Sequence, residues 1–138
     1  MHQVLFYSKG DNTRKLADAI ARVLGVKATD IKTASIDPTA HIIFLGSGCY
    51  GGKPSEDMMK FIERNDFSGR KIALFGTSGG NAGMEVDLMA VALKHKGATV
   101  LGSYHCKGKA FLLFNTGHPN QEDLDGARKF ARETAMLG

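Results

Sequence analysis

Val4-Leu5-Phe6-Tyr7-Ser8-Lys9-Gly10-Asp11-Asn12-Thr13, residues 4–13, is a short apolar run that breaks into hydroxyl, glycine and amide residues. Leu16, Ile20, Val23 and Leu24 then recur at helical spacing, and Gly25 supplies a stop. The reading is a strand, a loop and a helix in direct succession. Two further glycine-rich loops follow apolar runs: Gly46-Ser47-Gly48-Cys49-Tyr50-Gly51-Gly52 after His41–Leu45, and Gly76-Thr77-Ser78-Gly79-Gly80 after Lys71–Phe75. In an open α/β sheet, ligands sit beyond the carboxyl ends of the strands where the strand order reverses. The three loops are therefore expected to line one site.

Outward from these segments the alternation continues. Val26–Ile31 reads as a short, weaker strand, and Thr33–Ala40 as a polar connection with a turn of helix at most. Pro54 is expected in the first turn of a helix that buries Met58, Phe61 and Ile62. Glu85–Lys96 carries Val86, Met89 and Leu93 on one stripe and ends in basic residues before Gly97. Thr99–Tyr104 is the last expected strand. An irregular stretch from His105 to Asn120 precedes a closing helix marked by Leu124, Ala127 and Ala131, with Phe130 alongside. Strands that alternate with helices and read as near-continuous apolar runs predict a parallel sheet covered on both faces.

A chain of 138 residues, 43% of them hydrophobic, is expected to form a single domain over residues 1–138. Met1-His2-Gln3 runs straight into the first strand, and no apolar run approaches the roughly 20 residues that span a bilayer. The expectation is a soluble, cytoplasmic protein without membrane insertion. Cys49 and Cys106 suit a reducing compartment and do not form a disulfide or metal-ligand pattern. The net charge of +4 is spread along the chain without a basic run, so nucleic acid is not an expected partner.

The first loop carries the strongest chemistry. Backbone N–H groups at a helix start attract anions, Ser8, Asn12 and Thr13 add donors, and Gly10 permits close approach. A phosphate fits; so does an ordinary capped helix start using Asp11, Asn12 or Thr13. The second loop matches G-x-G-x-x-G from Gly46 to Gly51, yet Lys53-Pro54 intervenes before the next helix and no acidic residue ends the next strand, so a dinucleotide fingerprint is rejected. A P-loop fails at Ser47 and Pro54. Tyr50 between glycines suits a flat heterocycle instead, with Thr77, Ser78 and Gly79 offering hydrogen bonds to its edge. His41, His95, His105 and His118 have no carboxylate or nucleophile at a recognisable motif spacing, and read as surface or capping residues.

Taken together, Tyr7-Ser8-Lys9-x-x-Asn12-Thr13-Arg14-Lys15, Gly46 through Ser55, Phe75-Gly76-Thr77-Ser78-Gly79 and the ending Gly117-His118-Pro119-Asn120-Gln121-Glu122-Asp123-Leu124 with Ala127–Ala131 resemble the short-chain flavodoxin family across essentially the whole chain. The resemblance implies a three-layer α/β/α sandwich with a five-stranded parallel sheet in the order 2-1-3-4-5 and FMN at its carboxyl edge. It implies low-potential electron transfer between redox proteins without a substrate of its own. Ser8, Lys9, Gly10, Asp11, Asn12 and Thr13 would hold the phosphate. Ser47, Gly48, Cys49, Tyr50, Gly51 and Gly52 would form the second flavin loop and Thr77, Ser78, Gly79 and Gly80 the third. Tyr50 would stack near the ring, and the peptide at Gly51 or a neighbour would turn to meet flavin N5–H after one-electron reduction.

Three departures stand out. Gly10-Asp11 replaces the usual Thr-Gly, which sets a carboxylate near the phosphate that Lys9 or Arg14 would partly offset; the third loop has no aromatic residue; and the chain is basic where flavodoxins are typically acidic. The basic charge implies redox partners with acidic docking surfaces. The alternatives are a small FMN-dependent NAD(P)H:quinone or flavin reductase, and a flavodoxin-like accessory domain that has lost FMN. Cys49 is a candidate for tuning the flavin or sensing oxidants.

Overall fold

A computed structural model describes residues 1–79, 83–107 and 117–137 of the chain. In chain order it contains β1 (Gln3–Tyr7), α1 (Asn12–Leu24), β2 (Ala28–Asp30), β3 (Ile43–Tyr50), β4 (Lys53–Pro54), α2 (Glu56–Arg64), β5 (Lys71–Ser78), α3 (Met84–His95), β6 (Thr99–Lys107) and α4 (Gln121–Ala135). The parallel strands run β2-β1-β3-β5-β6, and β4 is a two-residue antiparallel addition to β3. With β4 set aside, this is the expected order 2-1-3-4-5.

Strand alternation divides the core between the two faces of the sheet. Leu5, Tyr7, Ile43, Leu45, Ile72 and Leu74 face α2 and α3, burying Met58, Phe61, Met89 and Leu93. Val4, Phe6, Ile42, Phe44, Ala73 and Phe75 face α1 and α4, burying Leu16, Ile20, Ala127 and Ala131. Both faces of the central strands are thus apolar, which is why these segments read as continuous hydrophobic runs rather than alternating ones. α1 ends where expected, at Gly25, whose φ of 70° permits the left-handed cap that donates to the Ala21 and Arg22 carbonyls.

Several element boundaries differ from the sequence reading. β3 and β5 run on through Tyr50 and Ser78, into segments expected as loops, because their backbones stay paired: Ser47 lies opposite Gly76 and Gly48 opposite Thr77. β6 likewise extends to Lys107, with His105, Cys106 and Lys107 opposite Gly76, Thr77 and Ser78. Pro54, expected inside α2, belongs instead to β4 opposite Cys49, and Ser55 caps the helix by accepting from the Met58 N–H at 3.0 Å. The G-x-G-x-x-G segment is therefore a strand followed by a hairpin turn. That geometry cannot present a helix N-terminus to a pyrophosphate.

Candidate functional site

The parallel register brings the carboxyl ends of β1, β3 and β5 side by side, since Tyr7 lies opposite Ser47 and Ser47 opposite Gly76. Two side-chain bonds then tie the segments beyond them. The Thr13 and Thr77 hydroxyls meet at 3.0 Å in a buried position, joining the start of α1 to the end of β5. The Lys9 backbone N–H donates to the Tyr50 hydroxyl at 3.2 Å, joining the first loop to the second. The three loops expected to line one site therefore meet at one edge of the sheet.

Within the first loop, the Ser8 hydroxyl donates to the Gly10 carbonyl and folds the loop on itself. Asp11 occupies the N-cap position of α1 with helical backbone angles and forms no side-chain cap bond among the described residues. Of the residues that could cap this helix without a ligand, Asp11 does not and Thr13 is committed to Thr77. Asn12 opens the helix and is half-buried. A side chain at Gly10 would have open space around it. The two nearby cations lie over aromatic rings: Lys9 Nζ is 4.6 Å from the centre of the Tyr50 ring, and the Arg14 guanidinium is 4.9 Å from that of Phe6.

The second loop owes its shape to its glycines. A Cβ at Gly46 would lie 1.9 Å from the Phe75 ring, and one at Gly48 would lie 2.7 Å from the Tyr50 hydroxyl. Those glycines make room for Phe75 in the core and for Tyr50 to reach back along its own strand to the first loop. Gly51 and Gly52 take φ values of 62° and 80° and turn the chain into β4. Ser47 is fully buried, and its hydroxyl accepts from the Ser55 N–H at 2.9 Å, which makes it a brace for the hairpin. Burial, and behind it the negative charge of Glu85, pushes the Cys49 thiol up. A thiol so shifted stays protonated at neutral pH, which argues against the oxidant-sensing role considered for it. Cys106 is pushed up to about 12, chiefly by burial.

On the third loop, Thr77 and Ser78 are nearly buried and Gly79 is half-exposed. Gly80 lies outside the described residues. Beyond this loop opens a cavity of about 400 Å³, walled by Ser78, His105, Cys106, His118 and Asp123 among others. On the opposite side, Tyr50, Lys53, Asp57, Met59 and Leu88 border a groove of about 570 Å³.

Sequence reasoning missed the carboxylates behind two histidines. His105 Nδ1 makes a short contact with Oε1 of Glu85, which is completely buried, while Nε2 lies 3.2 Å from the Ser78 hydroxyl. His118 Nδ1 lies 2.5 Å from Oδ2 of Asp123, the residue that also closes the Asn120 capping box of α4. The signal for Glu85 was present: it stands four residues before Met89 and eight before Leu93, on the apolar stripe of α3. No group of three or more metal-ligating side chains occurs among the described residues, nor does a helix long and apolar enough to cross a membrane.

Comparison with known proteins agrees with this architecture. Residues 3–112 match the model of the Flavodoxin domain family. An uncharacterized protein of Methanocaldococcus jannaschii is 33% identical over 132 residues, covering 88% of each chain. Among solved structures, a flavodoxin from the domain Archaea superposes with a TM-score of 0.80 at 22% identity, over 99% of this chain and 98% of its own. Oxidised Flavodoxin 2 from Bacillus cereus gives a TM-score of 0.79 at 22% identity, over the full length of both chains.

Proposed function

This chain belongs to the flavodoxin family, and from that premise we propose that it binds FMN and passes single electrons at low potential between redox proteins. The observation that carries this reading is the junction of all three loops at one sheet edge, through Thr13 with Thr77 and Lys9 with Tyr50. The residues fit the group. The first turn of α1, left without a cap from Asp11, would take the phosphate, and the open space at Gly10 lets it approach the backbone.

When bound, FMN supplies a ring that accepts electrons one at a time. The protein's part is to separate those steps. The turn at Gly51-Gly52 has no side chain to hinder rotation of its peptide, so it can present either a carbonyl or an N–H to the ring edge. The surrounding strand ends, with Phe75 and Leu74 packed beneath, form a poorly solvated wall beside which added negative charge is costly. Neither feature requires a substrate.

We assign the electron partners to proteins with acidic docking surfaces, because Lys9 and Lys53 are exposed at the rim of the site and the chain carries a net charge of +4. Binding is tested by titrating the FMN-free protein with FMN and following the flavin spectrum. One equivalent bound tightly is expected; no binding at high FMN returns the fold to the accessory-domain reading. The reductase reading draws on the 400 Å³ cavity beside Ser78, and sustained oxidation of NAD(P)H by the FMN-loaded protein alone would favour it.

A further inference from the structure

Glu85, His105 and Ser78 form a continuous chain of hydrogen bonds from the interior of α3 to the third loop. It starts at a carboxylate with no solvent exposure, one of whose oxygens contacts His105 Nδ1 while the other, Oε2, has no hydrogen-bond partner among the described residues. Gly76 is the reason the carboxylate fits, since a Cβ there would lie 2.5 Å from Glu85 Oε1. The imidazole is 22% exposed and borders the 400 Å³ cavity, so protons from solvent can reach it. Its far nitrogen, Nε2, meets the Ser78 hydroxyl at 3.2 Å.

We propose that Glu85, His105 and Ser78 act as a hydrogen-bond relay, switched by one proton at His105, that sets the hydrogen-bonding polarity of the third loop toward the flavin ring. This rests on the FMN reading given above. With His105 in the imidazolium form, both ring nitrogens carry protons. Nδ1–H donates to Glu85 and Nε2–H donates to the Ser78 oxygen, turning the hydroxyl proton away from the imidazole and into the loop. With His105 neutral and Nδ1 still donating to Glu85, Nε2 has only a lone pair, so the Ser78 hydroxyl donates back to it and offers the loop an acceptor. One proton taken up at Nε2 thus exchanges a loop acceptor for a loop donor. Glu85 supplies the counter-charge that makes a partly buried imidazolium tolerable, and losing it would strand the cation.

Among the described residues, the other charged and titratable groups around this pair are Cys49 from β3, which senses Glu85, Tyr104, Cys106 and Lys107 from β6, and His118, Glu122 and Asp123 across the cavity. Among them, His118 has its own carboxylate in Asp123, and both thiols and Tyr104 are held protonated by burial. His105 is the member placed to hand a proton's effect to Ser78. A flavin ring edge is rich in acceptor oxygens and nitrogens and has a single N–H, so the donor form of the loop is the better binder. His105 and Ser78 are positioning residues in this scheme.

The test uses riboflavin as the probe, because it lacks the phosphate whose own titration would mask the effect. Its dissociation constant for the FMN-free protein should rise about fivefold from pH 5.5 to pH 8.5, the loss of one net hydrogen bond. His105→Gln should flatten that dependence. Ser78→Ala should flatten it too while leaving the His105 ring titration visible by ¹⁵N NMR, which covers the case in which the histidine variant folds poorly. Equal pH dependence in the wild type and both variants overturns the relay. NMR of the flavin-free protein separates this from failure of the FMN reading: Glu85→Gln should change the ¹⁵N signals of the His105 ring whether or not any flavin binds, and unchanged ring signals overturn the relay on their own.

Discussion

The Thr13 and Thr77 hydroxyls, 64 residues apart in sequence, share a buried hydrogen bond of 3.0 Å that fastens the first loop to the third. Both side chains are nearly free of solvent, and each hydroxyl is within hydrogen-bond distance of the other. Replacing one threonine by valine strands a buried hydroxyl, with an expected loss of about 1–3 kcal/mol, whereas replacing both removes the orphan. Urea unfolding should therefore find the double valine variant closer to wild type than either single variant. Additive losses would show that the two hydroxyls do not depend on each other.

Gly46→Ala drives a methyl into the Phe75 ring, which stands 1.9 Å from the ideal Cβ position. The core there is filled on both sides, so an overpacking cost of about 1–3 kcal/mol is expected. Phe75→Leu in the same chain should recover part of it by vacating the space. A double variant no more stable than Gly46→Ala would contradict this account of the glycine.

Asp11 sits at the N-cap of α1 without capping it, so its carboxylate contributes negative charge where the phosphate is expected. Asp11→Asn should tighten FMN binding by roughly threefold to tenfold at low salt, and the gain should shrink as ionic strength rises. Isothermal titration at two salt concentrations checks both parts. Unchanged affinity would place the phosphate elsewhere.

Acid should weaken the fold through His2. Burial first, then the terminal ammonium and His41, hold its ring below the ordinary value, and its Nδ1 is buried without a partner among the described residues. The unfolded chain then binds a proton that the folded chain resists, so this contribution to stability is present above the ordinary value of 6.5 and is lost as pH falls through it. The urea midpoint of wild type should fall more between pH 7.5 and pH 5.5 than that of His2→Phe. Parallel declines would remove His2 as a cause.

The order of strands and helices, the two-faced core and the convergence of three loops were legible because they follow from local patterns: apolar runs, helical stripes and glycine breaks. Strand ends were less legible. β3, β5 and β6 run past their apolar segments because pairing with neighbours satisfies their backbones, and that pairing is a property of the assembled sheet. Pro54 misled for a similar reason, since a proline suits both a helix start and a strand edge. Glu85 with His105 was hidden by distance: 20 residues separate them, and only the neighbouring positions of α3 and β6 over β5 join them. The sequence displayed a carboxylate on an apolar stripe, which marks burial but does not identify a partner.

The central claim is that these loops hold a flavin and separate its two electron steps. An anaerobic potentiometric titration of the FMN-loaded protein, followed by its visible spectrum, tests this most directly. Two resolved one-electron waves are expected, the second at markedly lower potential. A single two-electron wave would contradict the carrier and favour a flavin enzyme.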